Sequence, residues 1–98
     1  MPLATKLTPR ARRELERALA FWRSNRPAAP DLVLDELEAA LTTLADAPHL
    51  GVAYLGGRPG TRRALLPQSR MHVYYAIRGE VLVVLSVWGA LRRSGPRV

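Results

Sequence analysis

Residues 70–79 read RMHVYYAIRG, a strand-like run in which a histidine and two adjacent tyrosines stand between Arg70 and Arg78. With Arg62 and Arg63 before it and Arg92 and Arg93 after it, this run collects the groups of the sequence that could act on a phosphodiester. Metal-independent RNA cleavage drives the 2′-hydroxyl onto the neighbouring phosphate, which requires a proton acceptor, a proton donor and cations for the phosphorane charge. His72 and Tyr74 could exchange the protons while Arg62 and Arg78 hold the phosphate. The same side chains, with Arg63, Arg70, Arg92 and Arg93, could instead bind a target without cleaving it, since a guanidinium fork suits phosphate and carboxylate alike. A third reading makes His72 and Tyr74 only the polar face of a half-buried strand, in contact with cross-strand neighbours.

Strand periodicity separates the two tyrosines. A period of two sends Val73, Tyr75 and Ile77 to one face and His72, Tyr74 and Ala76 to the other. Val73 and Ile77 are the better core residues, so Tyr75 is expected to face the core and His72 with Tyr74 the open side. Arg62 or Arg63 would lie beside them on the preceding strand.

The elements that must position these groups can be read in order. Leu3, Thr5 and Leu7 alternate with Ala4 and Lys6 as a short first strand, placed at an edge. Thr8-Pro9 then starts a helix, the hydroxyl capping free N–H groups and the proline lacking a donor where none is needed. Ala11, Leu15, Ala18, Leu19 and Trp22 share one helical face, giving a helix over 9–24. The prolines of RPAAP at 26–30 break it. Leu34, Leu37, Leu41 and Leu44 mark a second helix, with Asp31, Asp35 and Glu36 near its positive end and Pro48 closing it. Residues 51–60, GVAYLGGRPG, read as a loop. Strands follow at 62–67, 71–77 and 81–88, the last two joined by a hairpin step at Arg78-Gly79-Glu80. The apolar last strand reads as central, and the tail is expected to fray beyond Ser94. The fold class is therefore α+β, in the order β-α-α-β-β-β, with a helical hairpin on a small curved, mainly antiparallel sheet.

Ninety-eight residues, 48% of them hydrophobic, suffice for one small core and not two. The absence of cysteine removes disulfides, thiolate nucleophiles and cysteine metal sites. No apolar run approaches the roughly 20 residues that span a bilayer, and MPLATKLTPRARR lacks the apolar stretch of a signal peptide, so a cytoplasmic protein without membrane partners is expected. His49 and His72 are not at metal-ligand spacing, Gly56, Gly57 and Gly60 precede no helix, and neither a metal nor another cofactor is expected. Trp22 reads as core, Trp88 as a packing residue at a strand end, and Glu14, Glu16, Asp35, Glu36 and Glu38 as solvated helix faces. The net charge of +7 is segregated: residues 31–50 carry five acidic and no basic groups, while the segments before and after hold all fifteen basic ones. Fourteen of those are arginine, which suits an acidic partner or a nucleic acid.

Four stretches carry a family likeness: LTPRARRELERALAFW at 7–22, DLVLDELEAALTTLADAPHLG at 31–51, GTRRALLP at 60–67 and HVYYAIRGEVLVVLSVWGALRRSGP at 72–96. In this order they resemble the RelE/ParE toxins of bacterial type II toxin–antitoxin modules. The resemblance implies one of two activities. RelE-like toxins cleave messenger RNA on the ribosome, whereas ParE-like toxins poison DNA gyrase, and an antitoxin chain wraps both. RelE-like nucleases generally carry lysines in the site and a tyrosine or histidine just after the last strand. Here the one lysine is Lys6 in the first strand, and Gly89-Ala90-Leu91 follow Trp88. The resemblance is therefore closer to ParE, implying gyrase binding rather than catalysis. The RNase reading keeps His72, Tyr74, Arg62 and Arg78 as its site, and a non-toxic nucleic-acid-binding module is the third possibility. The antitoxin is expected on an apolar groove of the helical hairpin, at Leu15, Leu19, Trp22, Leu34 and Leu37.

Overall fold

A computed structural model describes residues 2–92 and 94–98. The chain runs β1 (Ala4–Leu7), α1 (Pro9–Asn25), α2 (Leu32–Asp46), β2 (Val52–Ala53), β3 (Arg62–Leu66), β4 (Met71–Arg78) and β5 (Val81–Gly89). The two helices pack on a five-stranded sheet of order β1-β5-β4-β3-β2. β1 pairs parallel with β5, and every other pair is antiparallel. The expected α+β order is present, with one addition. The segment read as a loop contributes the two-residue β2, in which Val52 pairs with Arg63 and Ala53 with Arg62.

Local chemistry accounts for the first helix boundary. Thr8 stays extended and its Oγ1 accepts from Ala11 N–H at 3.1 Å, while Pro9 occupies the first turn. The same hydroxyl donates to Leu85 C=O and Thr8 N–H donates to Val84 C=O, so the cap also ties the helix start to the interior strand β5. Leu37, Leu44, Leu66, Val73, Tyr75, Leu82, Val84 and Val87 form the core beneath the helices, with Ala11 from α1. Val73 and Tyr75 thus take the expected core face. Ile77 does not. Near the end of β4 it is 37% exposed.

The β4–β5 pairing contains a bulge. Tyr74 faces Ser86 but Tyr75 faces Val84, leaving Leu85 as the extra residue. The period of two that puts Leu82 and Val84 in the core therefore slips, and Val87 joins them instead of Ser86. β1 ends at Leu7 opposite Val84, so β5 beyond this point lacks a strand on that side. Glu14 of α1 takes over: its Oε1 accepts from Val87 N–H at 3.2 Å and from Ser86 Oγ at 2.8 Å.

Glu36 serves the other helix in the same manner. Its carboxylate accepts from the N–H groups of Gln68 and Ser69, at 2.9 and 2.8 Å, in the turn between β3 and β4. Glu14 and Glu36 are thus not the solvated residues their helical positions imply. Burial pushes the Glu36 pKa up, but the hydrogen bonds from Gln68 and Ser69 outweigh it and hold the carboxyl below its ordinary value. A depressed folded-state pKa stabilises fully above the unfolded value of about 4.3, and that contribution disappears as pH falls through the folded value. Glu36→Gln is accordingly expected to flatten the acid limb of stability below about pH 4.5, as read by urea midpoints across that range. A limb as steep as the parent's would refute this assignment.

Candidate functional site

The face of the sheet opposite the helices is where the candidate residues were expected to converge. β3 and β4 set their places by register. Arg63 lies opposite Tyr74 and Leu65 opposite His72, while Arg62 lies opposite Tyr75 on the helix-packed side. Of the two adjacent arginines, Arg63 is therefore the one beside His72. Arg62 turns away, and its Nη1 donates to Gly51 C=O at 2.6 Å and to His49 C=O at 3.4 Å. It fastens the segment leaving α2.

Tyr74 is on the expected face but is not open. It is 1% exposed, because Tyr54 crosses it edge-on with ring centroids 4.6 Å apart. His72 also meets Tyr74, at 5.9 Å and nearly perpendicular. The Tyr54 hydroxyl in turn donates to Pro96 C=O at 3.1 Å, Arg58 N–H donates to Val98 C=O at 3.0 Å, and Trp88 Nε1 donates to Ser94 C=O at 2.9 Å. The tail expected to fray is thereby folded back over this side of the sheet, with Pro96 buried.

His72 remains half-exposed, and its pKa is pushed down by burial and by the positive charge of Arg63. The imidazole is therefore neutral at pH 7, as a proton acceptor would have to be. The partners needed to use it are dispersed. Arg62 is on the opposite face, Tyr74 is covered, and Arg78 stands six residues along β4, about 20 Å away at 3.3 Å per residue. Among the described residues, no group of three or more His, Cys, Asp or Glu side chains comes together as a metal site.

The remaining arginines gather at two other places. Arg78 lines a cleft of about 600 Å³ with Arg10, Arg58 and Arg97, over a floor that includes Ala76 and Leu85. Periodicity could not show this group, since its members come from α1, the β2–β3 loop, the end of β4 and the tail. Arg70 and Arg92 instead flank a groove of about 550 Å³ between α1 and the end of β5. Arg92 also stacks on Trp88 at 4.1 Å, with Arg10 at 5.8 Å from the same ring. Phe21, 58% exposed, and Leu91, 79% exposed, line this groove with Trp22 and Met71, and Arg17 and Arg26 join its rim. Arg93 lies outside the described residues.

The groove is not on the helical hairpin itself. Of the apolar residues expected to dock a partner, Trp22 lines it, while Leu15, Leu19 and Leu34 are half-buried. Leu37 is only 2% exposed and belongs to the core, because its position on α2 faces the sheet.

Comparison with known proteins agrees with this architecture. The solved structure of a chromosomal ParDE TA system from P. aeruginosa superposes with a TM-score of 0.74 at 15% identity, covering 89% of this chain and 95% of that one. An arginine-to-alanine double mutant of E. coli toxin RelE in the free state gives a TM-score of 0.59 at 22% identity, covering 93% and 86%. At these identities the likeness is one of fold. No curated protein matches the chain in sequence. Among the described residues no helix is long and apolar enough to cross a membrane. The family model described as the ParE toxin of the type II toxin–antitoxin system parDE matches residues 5–93, nearly the whole chain, which therefore belongs to the ParE toxin family.

Proposed function

We propose that this chain is a cytoplasmic toxin that inhibits DNA gyrase by binding it, and that a cognate antitoxin neutralises it. The observation that carries the choice of binding over RNA cleavage is the dispersal of His72, Tyr74, Arg62 and Arg78. A phosphorane must meet its acid, its base and its cations within hydrogen-bond distance at once. Four groups divided between two faces, one of them covered, cannot do so. The antitoxin has a suitable seat in the groove beside α1. Exposed Phe21 and Leu91 call for an apolar helix face, and the arginine rim calls for acidic residues flanking it. The family match supports the toxin assignment, and the ParDE structure supports an antitoxin partner.

Controlled induction in bacteria tests the reading. Filamentation and DNA-damage signalling are expected, together with loss of supercoiling by purified gyrase on addition of the protein. Rapid arrest of translation with cleaved transcripts would instead establish the ribosomal RNase activity and overturn the proposal.

A further inference from the structure

The guanidinium groups of Arg58, Arg78 and Arg97, which share a cleft with Arg10, are accounted for neither by the antitoxin groove nor, among the described residues, by the fold's own hydrogen bonding. Arg10 is held by Glu14 through a contact of 3.5 Å and by the main-chain carbonyl of Arg97. Neither Arg58, Arg78 nor Arg97 forms an ion pair among the described residues, and no aspartate or glutamate side chain lines the cleft. Three of the four side chains are exposed, and the small side chain of Ala76 leaves the floor low between them. Three guanidinium groups without ion pairs around one depression, beside an Arg10 already shared with Glu14, attract an anion with several charged oxygens.

The type of anion follows from what the cleft lacks. Among the described residues no aromatic ring lines it. Tyr54 and Tyr74 are spent on each other, and Trp88 is covered by Arg92. Sites for single-stranded nucleic acid use exposed rings on which bases stack, whereas duplex DNA presents its phosphates outward and is gripped through them. We propose that this cleft binds the phosphate backbone of duplex DNA, so that the toxin holds both the DNA and the gyrase acting on it; the DNA contact stands on the cleft alone, and the joint grip rests on the gyrase reading.

The test is fluorescence anisotropy of a labelled 20-base-pair duplex, and of a single strand of equal length, with the purified full chain. Arg58→Ala/Arg78→Ala is expected to weaken duplex binding at least tenfold near 100 mM salt and to lower the slope of log K against log salt by about 1.8, from roughly 0.9 per lost phosphate contact. Arg12→Ala/Arg13→Ala, on the exposed side of α1, removes the same charge and is expected to change binding less than threefold. Circular dichroism and melting curves confirm that both variants fold. Equal losses in the two variants, no duplex binding by the parent, or preference for the single strand would each overturn the cleft assignment. The supercoiling assay separates the two readings. A parent that inhibits gyrase without binding the duplex ends this proposal and leaves the gyrase reading standing, whereas duplex binding without inhibition does the reverse.

Discussion

Tyr75→Phe is expected to destabilise the protein by about 2 kcal/mol, because a buried donor is left without its acceptor. The Tyr75 hydroxyl donates to Pro48 C=O at 2.7 Å and accepts from Gly51 N–H at 3.0 Å. It thereby fixes the segment leaving α2 against the central part of β4. Burial raises the Tyr75 pKa, so the phenol stays protonated and able to donate. Truncation to alanine adds a cavity in the core and is expected to cost about 3–5 kcal/mol. Gly51→Ala provides an independent check. A Cβ at this position would collide with the same hydroxyl, at a cost of about 1–3 kcal/mol from overpacking. Because Tyr75→Phe removes the nearest of the colliding atoms, leaving two ring carbons in the way, the two substitutions together should cost somewhat less than the sum of their separate effects. Urea midpoints with unchanged m-values would read this directly, and strict additivity would rule out the shared contact.

The second large effect is expected at Glu14. Glu14→Ala leaves Ser86 Oγ and Val87 N–H without their acceptor beside the bulge, for a loss of about 2–3 kcal/mol, typical of hydrogen bonds to a charged group. Glu14→Gln keeps a carbonyl oxygen in place and should recover about half of that. Ser86→Ala removes one of the two donors, so the cost of Glu14→Ala should be smaller in that background. Hydrogen exchange at Val87 gives a readout that a general loss of stability would not single out. Its amide should lose protection more than that of Leu82, which lies where β1 still pairs with β5. Uniform loss across β5 would remove Glu14 from this role.

The parts of the fold legible in the sequence are those specified by neighbouring residues. Thr8-Pro9, the leucine spacing of α2 and the alternation around Val73 and Tyr75 each carry a local rule, and each places its element correctly. Features that depend on contacts between distant segments were not legible. β2 exists only because Val52 and Ala53 meet β3, and two residues carry no periodicity of their own. The bulge at Leu85 lies within an apolar run where either face looks equally suitable. Glu14 and Glu36 look solvated until the strand and turn they cap are in place.

The same division holds for the site. Alternation places Tyr74 on the correct face, yet its burial is decided by Tyr54, twenty residues earlier, and by a tail that the sequence alone leaves loose. Arg62 and Arg63 are adjacent and chemically identical, so only the register with β4 shows that Arg63 accompanies His72. Arg10, Arg58 and Arg97 carry no local signal that joins them to Arg78. Their single sequence-level sign was that basic residues occupy both ends of the chain, which the fold brings to one side.

The parallel pairing of β1 with β5 has a consequence for the order of events during synthesis. β1 leaves the ribosome well before its partner, which begins at Val81. Until β5 emerges, β1 has no neighbour, Thr8 and Glu14 have nothing to tie, and most of the core lacks Leu82, Val84 and Val87. A pairing that closes so long a loop forms late and adds little stability before it closes. The nascent chain therefore lacks the toxin's surface until β5 emerges, and the interval before that surface exists is set by the topology of the sheet.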